Sequence, residues 1–280
     1  YARRNRLKVF VLGGGSNLLI SDEGFDGLVI RIAIDDAVAA TPDGAFVNYT
    51  ASAGTEWNAF VLHICEQRIS GVECLAGIPG SVGGTPVQNV GAYGQEVADT
   101  IAAVRAFDLE TDDFAILTHD QCRFAYRGSI FNTTCRNRYI VTTVTFRFDL
   151  TARPSLAYAD LKRHFADWGS LTPPTPLDVY RAVRAIRHRK GMLIVEGEAD
   201  CRSAGSFFKN PIVAPSALAR IASSLQIAAG DIPHWPAADG LIKLPAAWLL
   251  EKAGFTKGFT MGRAGISSRH TLALINRDHS

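Results

Sequence analysis

A chain of 280 residues, 47% of them hydrophobic, is long enough for a large globular domain with a smaller one attached. Twenty-nine basic against 27 acidic side chains leave a net charge of +2, which argues against nucleic acid or an anionic membrane surface as a general partner. The longest apolar runs stop short of the roughly 20 residues of a membrane span, and "YARRNRLKVF" passes from charges straight into a strand-like run, so a soluble, cytoplasmic protein without a signal peptide is expected. Cys65, Cys74, Cys122, Cys135 and Cys201 are odd in number and widely spaced, with no C-x-x-C pair and no His at zinc spacing, and read as reduced, mostly buried thiols with no metal.

In chain order, Lys8–Leu12, Leu28–Ile32, Phe46–Ala51, Ile101–Phe107 and Tyr139–Phe148 are short β-branched or alternating runs bounded by Gly, Asp or Asn, the punctuation of strands. Between them, Trp57, Phe60, Val61, Ile64 and Cys65 recur at helical spacing, with Thr55 available as N-cap and Gly71 shortly after the end. A Pro-rich linker, "SLTPPTPLD", leads into a second helix in which Thr175 caps, Pro176 takes the first position, and Val179, Tyr180, Val183 and Ile186 form the apolar stripe. Its last turn, "RAIRHRKG", places Arg187, Arg189 and Lys190 at the negative end of the helix dipole, which alone would explain the charge run. Beyond a boundary near Lys190–Gly191 come Gly/Ser/Asn/Pro turns, a short helix carrying Leu218, Ile221, Ala222 and Leu225, and another from near Pro245 to before Gly254. Strands followed by segregated helices predict an α+β architecture.

Two glycine-rich elements carry the chemistry. "VFVLGGGSNLLI" runs a hydrophobic strand into Gly13, Gly14 and Gly15, then Ser16, Asn17 and Leu18. This is either a tight turn or a phosphate-binding turn whose backbone N–H groups approach an anion, and it has neither Rossmann nor P-loop spacing. The second, "GVECLAGIPGSVGGTPVQNVGAYGQEV", can wrap a pyrophosphate and a ring with backbone donors, while Ile78, Val82, Val87 and Val90 pin it to a core.

With these elements in this order, and with "CRFAYRGSIF", "LAYADL", "SAGSFFKNP", "DGLIKLPAAWLLEKAGFTKG" and "HTLALINR" after them, the sequence resembles the UDP-N-acetylenolpyruvoylglucosamine reductase family across nearly its whole length. The resemblance implies an FAD-binding domain of the vanillyl-alcohol-oxidase (PCMH) type followed by a smaller α+β substrate-binding domain. On that plan residues 1–32 are part of a first FAD-binding subdomain, 33–190 a second with a tyrosine loop and linker, and 191–280 the substrate domain. It further implies FAD as bound cofactor, NADPH as reductant and UDP-N-acetylglucosamine enolpyruvate as substrate, in a monomer serving peptidoglycan precursor synthesis. The cofactor residues carried over are Gly13, Gly14, Gly15, Ser16, Asn17, Leu18, Ile78, Pro79, Gly80, Ser81, Gly84, Gln88, Asn89, Gly91, Ala92 and Tyr93.

In the implied reaction, hydride delivered to C3 of the enolpyruvyl ether leaves charge developing at C2 and the carboxylate, so a fixed cation and a proton donor are required. Arg127 matches the cation. A guanidinium pairs with a carboxylate at two points, and Tyr126, Phe124, Ile130 and Phe131 favour a partly buried position over that of a surface arginine at a strand end. Ser206 matches the proton donor; Phe207 and Phe208 read as anchors burying its segment. Tyr126, Tyr158, Lys190, Asn210 and His270 match substrate contacts, the phosphate role of Lys190 standing beside its helix-dipole role, and Tyr158 reads as the tyrosine of a substrate-closing loop. The family's acidic partner, a glutamate beyond the "LALIN" strand, and a βαβ portion before the Gly triplet have no counterpart here, and Asp278 stands too close to the strand to serve. A fragment or trimmed product is therefore expected, with a catalytically impaired FAD- or nucleotide-sugar-binding chain, or another flavin oxidoreductase sharing the FAD domain, as alternatives.

Overall fold

The computed structural model describes residues 1–169 and 171–276 and divides into two compact units, Tyr1–Arg187 and His188–Ser280. Asp278 lies outside the described residues.

The first unit opens with a parallel pair, β1 (Val9–Leu12) and β2 (Leu28–Arg31). There follow β3 (Ala39–Asp43), β4 (Phe46–Ser52), helix α1 (Trp57–Glu66), the small hairpin β5 (Gly91–Ala92) and β6 (Gln95–Glu96), then β7 (Ile101–Asp108) and β8 (Asp113–Thr118). Helix α2 (His119–Cys122), β9 (Tyr139–Asp149), α3 (Ala159–His164) and α4 (Pro176–Arg189) complete it, the division falling within the last turn of α4. Strands β3-β4-β9-β7-β8 make one antiparallel sheet in that order. Alternation along β4 turns Val47, Tyr49 and Ala51 to one face, opposite Phe148, Phe146 and Val144 of β9. Helix α1 lays its stripe on that face: the Phe60 and Phe146 rings lie 4.8 Å apart and those of Trp57 and Phe146 5.9 Å. Each fully buried ring contributes about 1.5–3 kcal/mol.

The cap of α1 is Glu56 rather than Thr55. Glu56 is the last extended residue, and its carboxylate accepts from the N–H groups of Asn58 (3.0 Å) and Ala59 (2.5 Å), bringing a full negative charge to the positive end of the dipole. Thr55 is instead buried, and its hydroxyl has no partner among the described residues. At α4 the sequence pattern holds: Thr175 Oγ1 accepts from Asp178 N–H (3.2 Å) while the Asp178 carboxylate accepts from Thr175 N–H (2.9 Å). Val179, Tyr180, Val183 and Ile186 are buried, and so is Arg187 in the cationic last turn.

The second unit contains β10 (Ser203–Ser206), β11 (Ile212–Val213), α5 (Ala217–Leu225), β12 (Trp235–Pro236), β13 (Ile242–Lys243), α6 (Ala246–Lys252), β14 (Thr260–Met261), β15 (Ala264–Ile266) and β16 (Ala273–Asn276). The strands form two small sheets, β10-β16-β15-β14 and β11-β13-β12. Its apolar cluster centres on Ile232, Ile242 and Leu244, with Leu218, Ile221 and Ala222 of α5 packed against it as their spacing requires. Cys65, Cys74 and Cys122 are buried, Cys135 and Cys201 half-buried, and all five are thiols.

Candidate functional site

The first unit brings the two glycine-rich elements together. Gly13, Gly14 and Gly15 directly follow β1, and Gly15 has a φ of +73°, a conformation glycine adopts without strain. A Cβ on Gly14 would lie 2.8 Å from the Cα of Gly80, so the loops can touch only because both positions lack side chains. Ser16 Oγ donates to Pro79 O at 3.1 Å and Asn17 Nδ2 to Gln88 Oε1 at 3.1 Å, tying one loop to the other. The second loop is held onto the β4–α1 junction by Val82 N–H to Thr55 O and Gly83 N–H to Ala53 O, both 2.9 Å, and by Trp57 N–H to Gly80 O at 3.0 Å. Val82 and Val90 are buried and Ile78 and Val87 pack on the core, which accounts for apolar residues in a loop so rich in glycine.

This cradle fits a dinucleotide cofactor. Ser81 Oγ is buried, lies 3.1 Å from where a Cβ of Gly13 would be, and has no hydrogen-bond partner among the described residues. A buried hydroxyl without a partner costs about 1–3 kcal/mol, which an acceptor entering the cradle would remove. Nothing within 4 Å would meet a Cβ on Gly84, and Leu18 is exposed, so both face open space.

The loop's second half is organised differently. Asn89 is buried with φ +45°, and its side-chain amide donates to Glu96 Oε2 (2.7 Å) and Ala125 O (3.0 Å) and accepts from Ala98 N–H (3.1 Å). That side chain holds the loop's shape. Arg127, half-buried at φ +54°, donates to Asn89 O at 3.3 Å and to Gly91 O, and its guanidinium stands 5.6 Å from the half-exposed Tyr126 ring. The cation is thus built onto the loop carrying Gly91 and Ala92. Tyr93 follows, its ring edge-on to that of Tyr158 at 5.2 Å. Burial pushes the Tyr93 phenol up to about 12, with the neighbouring Arg187 pulling the other way.

Arg187 was missed as a site residue. It is buried, donates from Nε to Gly77 O at 3.2 Å and hydrogen-bonds the Tyr93 phenol, so it meets the loop near both ends; burial lowers its pKa. One signal could have found it: Arg187 falls four residues after Val183, on the apolar stripe of its helix.

In the second unit, Ser206 ends β10 opposite Ala273 and is exposed. Phe207 and Phe208 are exposed too, their rings 6.1 Å apart, and do not anchor the segment as expected; strand pairing and the Phe207 N–H bond to Leu272 O (2.8 Å) hold it. Asn210 Oδ1 accepts from Ala246 N–H at 2.9 Å, covering an otherwise orphan donor at the start of α6. Lys190 follows the last residue of α4, half-buried, and His270 lies in the turn before β16, where its N–H donates to Ser267 Oγ at 3.1 Å. Among the described residues no cluster of His, Cys, Asp and Glu could hold a metal, and no helix is long and apolar enough to cross a membrane.

Comparison with known proteins bears on both units. A family profile described as "FAD binding domain" matches residues 1–112, and one described as "UDP-N-acetylenolpyruvoylglucosamine reductase, C-terminal domain" matches residues 197–280. UDP-N-acetylenolpyruvoylglucosamine reductase of Thermobifida fusca (strain YX) is 44% identical over 275 residues, which is 96% of this chain and 76% of that protein. The enzyme of that name from Neisseria meningitidis serogroup A is 39% identical over 276 residues, 99% of this chain and 77% of its own. Among solved structures, UDP-N-acetylenolpyruvylglucosamine reductase from Thermus caldophilus matches with a TM-score of 0.61 at 25% identity, covering 99% of this chain and 78% of that one.

Proposed function

The chain belongs to the UDP-N-acetylenolpyruvoylglucosamine reductase family, and from that premise we propose that it reduces UDP-N-acetylglucosamine enolpyruvate to UDP-N-acetylmuramate for peptidoglycan synthesis. It is an oxidoreductase with FAD as its cofactor and NADPH as the reductant. We further infer a cytoplasmic monomer serving cell shape and division, acting on a nucleotide sugar rather than on nucleic acid or membrane. The observation that carries this reading is the cradle of Gly13–Gly15 against Pro79–Ser81, with its buried partnerless hydroxyl, in one chain with a reductase C-terminal domain.

Bound FAD, once reduced, supplies a hydride to the enolpyruvyl double bond. The chain's own residues do the rest. Gly13, Gly14, Gly15, Ser16, Asn17, Leu18, Ile78, Pro79, Gly80, Ser81, Gly84, Gln88, Asn89, Gly91, Ala92 and Tyr93 hold the cofactor, mostly through backbone donors. Arg127, its orientation set by the carbonyls of Asn89 and Gly91, neutralises the substrate carboxylate as charge develops there. Ser206 gives a proton to C2, in concert with that charge because a hydroxyl is a weak acid. Tyr126, Tyr158, Lys190, Asn210 and His270 hold the nucleotide sugar, and Tyr158 closes over it to exclude water.

The test is an absorbance spectrum of the purified protein, then anaerobic reduction with NADPH, then addition of UDP-N-acetylglucosamine enolpyruvate. The expected sequence is a flavin spectrum, bleaching, and recovery on addition of the enolpyruvyl ether. A protein that takes up no flavin on reconstitution would sink the cofactor assignment. Recovery with oxygen but not with the enolpyruvyl ether would favour a flavin oxidase.

A further inference from the structure

The second unit contains a cation that the proposed reaction does not use. Arg269 lies beside His270 in the turn before β16, where Ser267, fully buried, accepts from the N–H groups of both residues at 3.1 Å through its hydroxyl. Its guanidinium leaves that turn in three directions. Nε donates to Asp200 at 3.0 Å, Nη2 to Glu198, and Nη1 to the carbonyl of His188 at 3.2 Å. The third contact reaches the end of α4, where Lys190 sits. There a Cβ on Gly191 would lie 2.9 Å from Arg269 Nε, so glycine at this position, with φ +65°, admits the guanidinium. The two carboxylates are themselves fixed: Asp200 accepts from Ser268 N–H (3.1 Å) and Oγ (2.7 Å), and Glu198 pairs with His188 Nε2 at 3.0 Å. Glu198 immediately precedes, and Asp200 lies within, the short turn Ala199–Cys201 that enters β10 and so leads to Ser206.

We propose that Arg269 is a positioning residue: it fixes the turns bearing Lys190 and His270 relative to each other and thereby sets the site for the substrate's nucleotide diphosphate. The inference rests on the reading of Lys190 and His270 given above. Two carboxylates already neutralise Arg269, so it acts through its neighbours and not as an anion ligand. A lysine could keep the charge but not the planar fork that serves three acceptors at once.

The test uses the full chain reconstituted with FAD, with UDP as the probe in calorimetry. Arg269→Lys is expected to raise the Kd for UDP by about tenfold, and the KM for the enolpyruvyl substrate with it, while kcat changes little. In a Lys190→Ala/His270→Ala background the same substitution should add less than about twofold, because its effect passes through those residues. A bare scaffolding role would give equal losses in both backgrounds and overturn the proposal. If Lys190→Ala or His270→Ala weakens UDP binding while Arg269→Lys does not, the positioning role fails and the site reading stands. If neither alanine variant changes UDP binding, the reading of those contacts fails first and the inference falls with it. Glu198→Gln, which weakens one anchor of the guanidinium together with the pairing to His188, serves if Arg269→Lys folds poorly, and the same two-background comparison decides.

Discussion

The two units are held together by different forces. In the first, a continuous apolar core runs from β4 and β9 through α1 to Val82, Val90 and Val97 in and around the second glycine loop, so the cofactor cradle rests on close-packed side chains. In the second, the apolar cluster is smaller, centred on Ile232, Ile242 and Leu244, with Ile266, Ala273 and Ile275 buried apart from it, and the turns bearing Lys190 and His270 are joined by the Arg269, Asp200, Glu198 and His188 network. A packed core tolerates little displacement, whereas charged networks depend on pH and salt. The cofactor end should therefore respond to changes of volume and the substrate end to changes of charge.

The largest effect should come from separating the two ends chemically. Ser206→Ala is expected to slow turnover of the enolpyruvyl substrate by about 100- to 10,000-fold, the usual contribution of a general acid, while bleaching by NADPH stays near normal in stopped flow. Equal loss in both halves would mean that Ser206 supports the fold. Phe146→Ala strikes the other side: removing a ring fully buried between Trp57 and Phe60 should cost about 3–5 kcal/mol in denaturant unfolding. Gly14→Ala follows. Its methyl would press on Gly80 and force the loops apart, at about 1–3 kcal/mol, so flavin should dissociate more readily on dilution while UDP binding is unchanged. Weakened UDP binding in this variant would break the division of labour.

Much of the first unit is legible in the sequence because alternation and helical spacing report burial directly, as at Val47, Tyr49 and Ala51 or at Trp57, Phe60 and Ile64. The glycine loops are legible as loops, but the 2.8 Å approach of Gly14 to Gly80 joins positions far apart in the chain and has no local signature. Phe207 and Phe208 mislead for the opposite reason. Aromatic residues usually mean burial, yet backbone pairing of β10 with β16 leaves these rings exposed. Arg187 reads as one more cation in a basic turn until its place on the apolar stripe is noticed. The Arg269 network links positions 188, 198, 200 and 269, and no spacing rule connects them.

The smallest expected effect bears most directly on charge as the substrate end's means of support. The Glu198 carboxyl is held below its ordinary value of 4.5 by hydrogen bonds first from Arg269 and then from His188. Burial pushes Asp200 up from 3.8, but hydrogen bonds from Ser268 and Arg269 outweigh it and the net shift is downward. A carboxylate with a depressed folded-state pKa lends stability above its ordinary value and loses it as the pH falls through the depressed one. Acidification from the ordinary carboxylate range downward should therefore loosen the second unit, read as lower hydrogen-exchange protection factors, each taken against the intrinsic rate at that pH, in peptides covering residues 188–202 and 265–273. Peptides from α1 and β9, whose protection rests on apolar packing, should change less over the same range. Glu198→Gln should flatten the acid response of the second unit and leave the exchange of α1 and β9 as it was. If both units respond alike and the substitution alters neither, the network is only a surface feature and the second unit draws its order from its small apolar cluster.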